Sequence, residues 1–193
     1  MKRLFVGLRF SEIITQGLND LQGGVNGANW VTVDNLHLTL RFIGWCDNNL
    51  MNDILLELTK VRSNYFYLQL NGVNHFKNKG RVKSLWVGVV ENSDLVNLRI
   101  EMDRLLQKIN IEPERKAFKP HVTLAKLKDI RLCDLAYFEQ INNLYRSDQI
   151  LIRHITVFQS MSVKGRSRYF PIADIPLRPL QKKSIQCSIF KPL

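Results

Sequence analysis

Leu36-His37-Leu38-Thr39-Leu40 and Pro120-His121-Val122-Thr123-Leu124 repeat one pattern 84 positions apart (121 minus 37) in a chain of 193 residues. In a β-strand alternate side chains share a face, so each His points the same way as its Thr while the aliphatic neighbours point the other way. Histidine, with an ordinary pKa of about 6.5, can either take or give a proton near neutrality. A threonine hydroxyl can donate to the non-bridging oxygens of a phosphate without adding a second titrating group. Two such strands side by side would surround one point with two imidazoles and two hydroxyls. That set suits acid–base cleavage of a cyclic phosphodiester, in which one group deprotonates water and another protonates the departing ribose oxygen. A single His-x-Thr carries little weight, because Thr is a good strand former in its own right. The information lies in the pair.

Arg41 follows Thr39 by two residues, so strict alternation predicts it on the face of His37 and Thr39, as a further contact for an anion or as a charge on the cleft rim. The remaining histidines, His75 and His154, lie outside the two motifs that repeat at 84 residues, and a structural role is expected for both. No His-Glu-x-x-His and no clustered carboxylates suggest a metal site, and no cofactor is expected. Cys46, Cys133 and Cys187 are odd in number and far apart, which argues against a disulfide framework and for a reducing compartment.

The elements that must carry the motifs follow from periodicity. A strand is expected over 3–10, then a helix opened by Ser11 and ending near Gly23-Gly24, a short extended piece at 30–33, and the first motif strand over 36–45. A helix over 50–62 and a strand over 65–70 come next, then a basic loop at 77–83 and a buried strand over 84–90. Ser93 can cap a helix whose stripe is Leu95, Leu98, Met102, Leu105, Leu106 and Ile109, with Asn110 as its stop. The second motif strand spans 121–127, a helix 132–144, and two strands 149–159 and 168–172, joined in hairpin fashion by Lys164-Gly165-Arg166-Ser167. The tail after Pro176 reads as irregular. This order predicts two α+β lobes, each holding one motif strand, with a division near residue 92, within a single domain over 1–193.

The 28 Lys and Arg against 17 Asp and Glu give a formal net charge of +11, which points to a polyanionic partner. Basic clusters at 77–83, 115–119 and 164–168 are placed to guide an RNA strand, and Phe76, Phe118 and Tyr169 to stack bases. Trp30 and Trp86, in apolar strand contexts, are expected in the core. The basic start at Lys2-Arg3 is interrupted by Arg9 and Glu12 before an apolar run of signal-peptide length, and no window reaches the ~18 apolar residues of a membrane span. A cytoplasmic protein with no membrane partner is expected.

With Arg3-Leu4-Phe5-Val6-Gly7, Leu85-Trp86-Val87-Gly88-Val89 and Tyr169 added to the two motifs, the chain resembles the RNA 2′,3′-cyclic phosphodiesterase branch of the two-histidine (2H) phosphoesterases, proteins once described as 2′-5′ RNA ligases. The resemblance covers nearly the whole chain. It implies two lobes about a pseudo-twofold axis, antiparallel sheets lining a central cleft with helices outside, and opening of RNA 2′,3′-cyclic phosphate ends to 2′-phosphomonoesters. Carried onto this sequence, it makes His37 the general acid and His121 the general base, with Thr39 and Thr123 holding the phosphate. Lys126 stands where the family often has arginine, and lysine lacks the planar bidentate fork. Joining of 2′-5′ RNA ends at the same site, with a 5′ hydroxyl in place of water, and a catalytically idle RNA-binding module are the alternatives. Two pseudo-equivalent lobes complete the site within one chain, so a monomer is expected.

Overall fold

The computed structural model describes residues 1–163 and 165–180; Lys164, Cys187 and the tail beyond 180 lie outside the described residues. The described residues form ten strands and four α-helices, in the order β1 (Lys2–Arg9), α1 (Glu12–Asp20), β2 (Ala28–Trp30), β3 (His37–Cys46), α2 (Asn48–Leu58), β4 (Phe66–Leu68), β5 (Leu70–Asn78), β6 (Arg81–Val89), α3 (Ser93–Gln107), β7 (His121–Leu127), α4 (Leu132–Asn142), β8 (Ile150–Ile152), β9 (His154–Val163) and β10 (Arg166–Pro176). The helix boundaries reflect local capping. α2 starts two residues before the expected Leu50 because the Asp47 carboxylate accepts the Leu50 N–H at 2.8 Å. In α3 the cap is Asn92, not Ser93, accepting the Leu95 N–H at 2.8 Å. That helix buries Leu95, Leu98, Met102, Leu105 and Leu106 as its periodicity dictates, and Asn110 takes up a left-handed φ of 61° beyond its end.

Two expected elements are divided and one loop is absent. Residues 77–83 form a tight hairpin joining β5 to β6, with Lys79 and Gly80 at φ 49° and 75°, the backbone a two-residue turn of matching twist requires. The expected strand 149–159 breaks at Arg153, and 65–70 breaks at Gln69, 84 positions earlier. At both breaks the short piece, β8 or β4, leaves the main sheet to pair with the other.

The main sheet runs β10-β9-β1-β3-β7-β6-β5, with β2 also on β7. The lobe of His37 therefore uses β1, β3, β9 and β10, and the lobe of His121 uses β2, β5, β6 and β7. Each draws strands from both halves of the chain, so a cut near 92 does not separate them. The reason is topological: β9 and β10 return to flank β1, a long-range pairing that no local pattern encodes.

The repeat is nonetheless kept in the elements. α4 and β8 begin and end 84 residues after α2 and β4. The motif strands meet at one antiparallel pair, Leu38 with Val122, and β4 meets β8 about Tyr67 with Leu151. The members of both pairs are 84 positions apart. A residue lying on a twofold axis faces its own equivalent, so these two pairs mark the pseudo-twofold axis between the lobes. Leu38, Leu40, Val122 and Leu124 point into the core with Leu18, Ile54, Leu98, Met102 and Phe138 from the helices. The opposite face carries the histidines.

Candidate active site

The irregularities of β3 and β7 decide which side chains enter the cleft. On β1, Val6 and Gly7 are consecutive, yet they face Arg41 and Thr39, so Leu40 is an extra residue in β3. On β6, Leu85 and Trp86 face Ala125 and Thr123, so Leu124 is the extra residue in β7. Each motif thus carries a β-bulge at the Leu after its Thr, which reverses alternation from that point on. Phe42 and Lys126, 84 positions apart, come round to the cleft, while Arg41 and Ala125 turn into the protein. Gly7, opposite Thr39, has no room for a side chain: a Cβ there would lie 2.6 Å from the Leu38 carbonyl oxygen.

His37, Thr39, His121, Thr123 and Lys126 line one cleft of about 1260 Å³ between the lobes. In both motifs the imidazole is held by the carbonyl two residues earlier: His37 Nδ1 lies 2.7 Å from the Asn35 oxygen and His121 Nδ1 lies 2.7 Å from the Lys119 oxygen. A carbonyl only accepts, so each Nδ1 carries the proton and donates it there, leaving Nε2 as the working nitrogen. Thr39 Oγ1 lies 3.0 Å from His37 Nε2 and donates to it while that nitrogen is unprotonated. Asn35 also fastens β10, donating through Nδ2 to the Ser167 carbonyl at 2.9 Å and accepting the Tyr169 N–H at 3.1 Å. Tyr169 then meets the His37 ring edge-on with centroids 4.9 Å apart, and Phe5, stacked on Phe158, packs 4.9 Å from it. Around His121 stand Phe76 at 4.8 Å and Trp86 at 5.8 Å.

Burial lowers the pKa of His37 to about 4, against the opposing pull of the Asn35 carbonyl and helped by the charges of His121 and Lys126. His121 is lowered too, chiefly by burial and further by Lys126 and Lys119. Without an anion in the cleft both imidazoles are neutral at pH 7, and each presents an Nε2 lone pair. A bound phosphate would restore a proton to one of them.

Arg41 requires a correction. Its side chain is 2% exposed, with Nε 3.1 Å from Asp103 Oδ1 and Nη1 3.7 Å from Glu114 Oε2, and it donates to the Glu112 carbonyl. Arg99 joins the same group through Asp103 and, at 3.0 Å, Glu114. Arg41 therefore fastens the 112–114 segment that leads into β7 and does not reach the cleft; the bulge at Leu40 removed it from the face that alternation assigned. The same bulge brings in Phe42, which alternation hides. The 84-residue offset, which maps Phe42 onto Lys126, is the signal that could have found it.

The other residues fall into place. His75 pairs with Glu139 at 2.6 Å and His154 lies 4.0 Å from Asp174, both away from the cleft. Trp30 packs on Phe138. Trp86 is buried, as expected, but one ring face meets the Lys119 ammonium, 4.6 Å from its centroid, beside His121. Phe76, Phe118 and Tyr169 line the cleft, as do Lys77, Arg115, Lys116 and Lys119.

The family model described as LigT like Phosphoesterase matches this chain twice, over residues 8–86 and 87–169. The chain belongs to the LigT-like phosphoesterase family. The two matches are the two copies of the repeat, the first containing His37 and Thr39 and the second His121 and Thr123, and their junction lies within β6. Among relatives of this LigT-like chain, the RNA 2′,3′-cyclic phosphodiesterase of Aeropyrum pernix is 36% identical over 99 residues, covering 51% of this chain and 56% of that protein. The RNA 2′,3′-cyclic phosphodiesterase of Archaeoglobus fulgidus is 30% identical over 129 residues, 65% of this chain and 73% of its own length. The alignment thus spans little more than half of the first relative. The crystal structure of E. coli LigT superposes with a TM-score of 0.75 over 92% of this chain and 98% of that one, at 20% identity, a likeness of fold. No described helix is long and apolar enough to cross a membrane.

Proposed function

We propose that this LigT-like phosphoesterase hydrolyses the 2′,3′-cyclic phosphate at RNA ends to a 2′-phosphomonoester, as the names of its relatives describe for them. The observation that carries this reading is the pair of imidazoles in one cleft, each with Nδ1 committed to the carbonyl two residues back, which leaves Nε2 as the nitrogen that exchanges a proton. His121, half-buried and the less enclosed of the two, takes a proton from water on Nε2 as the water oxygen bonds to phosphorus. His37, walled by Phe5, Phe158 and Tyr169, gives its Nε2 proton to O3′ as the P–O3′ bond breaks. Thr39 and Thr123 hydroxyls donate to the non-bridging oxygens, and Lys126 offsets their charge. Lys77, Arg115, Lys116 and Lys119 draw the polyanionic strand toward the cleft. Because β3 and β7 come from one chain, we read the enzyme as a single two-lobed domain acting as a monomer. Cys46 and Cys133, which form no disulfide among the described residues, suit the reducing cytoplasm.

The test is to incubate the protein, with EDTA present, with an oligonucleotide ending in a 2′,3′-cyclic phosphate and to identify the product. A 2′-phosphate end is expected. Joined ends would replace hydrolysis by ligation, a 3′-phosphate would reverse the placement of acid and base, and a strict demand for added metal would end the two-histidine mechanism.

A further inference from the structure

Beyond the catalytic groups the cleft face of the His37 lobe continues outward along β1 and β3. Directly opposed residues of an antiparallel pair share a face, and the register sets Phe42 beside Phe5 and Trp45 beside Arg3. Phe5 touches His37, and Arg3 and Phe42 line the cleft, so Trp45 lies on that same face. Phe42 and Trp45 are three residues apart and would face opposite ways in a regular strand. They agree here because a second irregularity makes Ile43 an extra residue between the partners of Leu4 and Phe5. Both rings stand open, Phe42 at 56% and Trp45 at 66% exposure, with the exposed Arg3 guanidinium beside them. Ser160, facing Arg3 from β9, completes the row.

This row exists in one lobe only. The repeat places Lys126 at the equivalent of Phe42 and Asp129 at the equivalent of Trp45. A duplicated cleft with cations near His121 and open aromatic rings near His37 fits a ligand that is itself asymmetric, phosphate on one side and bases on the other. The two rows lie about 7 Å apart along β1, two residues of extended strand, a spacing suited to successive unstacked nucleotides.

We infer that Trp45 and Arg3 form a subsite for the nucleotide preceding the cyclic end, Trp45 stacking its base and Arg3 contacting the linking phosphate, with Phe42 under the terminal nucleoside. The inference rests on the proposed RNA-end chemistry and adds to it a preference for oligonucleotides over single nucleotides. Trp45 is a surface ring, so its removal leaves the core intact.

The experiment compares kcat/KM for a mononucleoside 2′,3′-cyclic phosphate and for a trinucleotide with the same end, in the wild type, Trp45→Ala, Trp45→Phe and Arg3→Gln. Trp45→Ala is expected to lower the trinucleotide-to-mononucleotide ratio about tenfold, within the range for one stacked base, and Trp45→Phe to restore most of it. Arg3→Gln should lower the ratio less and weaken its salt dependence. Equal losses on both substrates, or an unchanged ratio, would overturn the subsite. Binding of a trinucleotide ending in a 3′-phosphate, followed by tryptophan fluorescence and calorimetry, separates this from the chemistry. If the wild type cleaves neither substrate, the proposed function fails, and the subsite then stands or falls on whether Trp45→Ala weakens trinucleotide binding about tenfold more than binding of a nucleoside 3′-phosphate.

Discussion

β3 and β7 are built alike and furnished differently. Each carries His-x-Thr, a bulge at the following Leu, and a carbonyl two residues before the His that fixes its tautomer. Past the bulge they diverge: the inward residue is Arg41 in one and Ala125 in the other, and the cleft residue is Phe42 in one and Lys126 in the other. The residue that supplies each anchoring carbonyl differs too, since Asn35 ties down β10 while Lys119 holds a cation over Trp86. What is kept across the repeat is the pair of imidazoles anchored through Nδ1, the groups to which the proposed mechanism gives the proton transfers. What differs sets polarity, placing the ammonium of Lys126 in one half of the cleft and the open ring of Phe42 at the equivalent position of the other.

The largest effects should come from the part that is shared. His37→Ala and His121→Ala should each lower kcat by roughly 10²- to 10⁴-fold, the usual worth of one positioned acid or base. The pH profile then tells the two apart. A base must be neutral, so His121→Ala should abolish the fall in activity toward low pH; an acid must be protonated, so His37→Ala should abolish the fall toward high pH. Because His37 is lowered to about 4 in the empty cleft and an anion raises it, the alkaline limb of kcat should lie at higher pH than that of kcat/KM. The same shift has a stability consequence. Between pH 6.5 and about 4 the unfolded chain binds a proton at this position that the folded protein refuses, so stability falls as pH drops through that window, and inorganic phosphate should counter the loss. Coincident limbs in the two profiles would mean that substrate does not recharge His37.

Arg41 against Ala125 is the next contrast. Arg41→Ala leaves Asp103 and Glu114 without one of their two cations and frees the Glu112 carbonyl; because both carboxylates keep some contact with water, a loss of about 2–3 kcal/mol is expected. For a domain of this size that lowers Tm by roughly 5–10 °C, readable by thermal melts. KM at temperatures where the variant is folded should change far less. A raised KM with an unchanged Tm would return Arg41 to the anion site.

The contrast also explains what a sequence can and cannot reveal here. His37, Thr39, His121 and Thr123 were legible because two-residue alternation is local and holds between each His and its Thr. One residue later it fails: Leu40 and Leu124 bulge because β1 and β6 impose their own register, and nothing in Thr-Leu-Arg or Thr-Leu-Ala announces that. Alternation therefore places Arg41 on the wrong face and hides Phe42. The hairpin at Lys79-Gly80 was hidden by a lysine in a left-handed conformation that glycine usually supplies. The exchange of strands between halves was invisible for a different reason, since which strand flanks β1 depends on the whole topology and not on any window of it. The helices, whose apolar stripes report burial directly, were found with errors of only a few residues at their ends.

The smallest effect should separate Lys126 from Phe42. Lys126→Ala should raise KM for a mononucleoside cyclic phosphate about tenfold with little change in kcat, since an ammonium here attracts the anion in ground state and transition state alike. Lys126→Arg should lower KM by about threefold, because a planar guanidinium can meet two phosphate oxygens at once where an ammonium meets them singly. Phe42→Lys places a cation at the equivalent position of the other half. If the cleft were a symmetric anion cradle, that variant would bind phosphate tighter and the nucleotide tighter with it. If its halves have parted roles, inorganic phosphate should bind tighter while the nucleotide gains nothing, the added charge being offset by loss of the ring beneath the nucleoside. Competition of inorganic phosphate against a nucleoside 2′-phosphate, measured on both variants, distinguishes these outcomes, and parallel gains for the two ligands in Phe42→Lys would show that the repeat has kept its symmetry in binding as well as in catalysis.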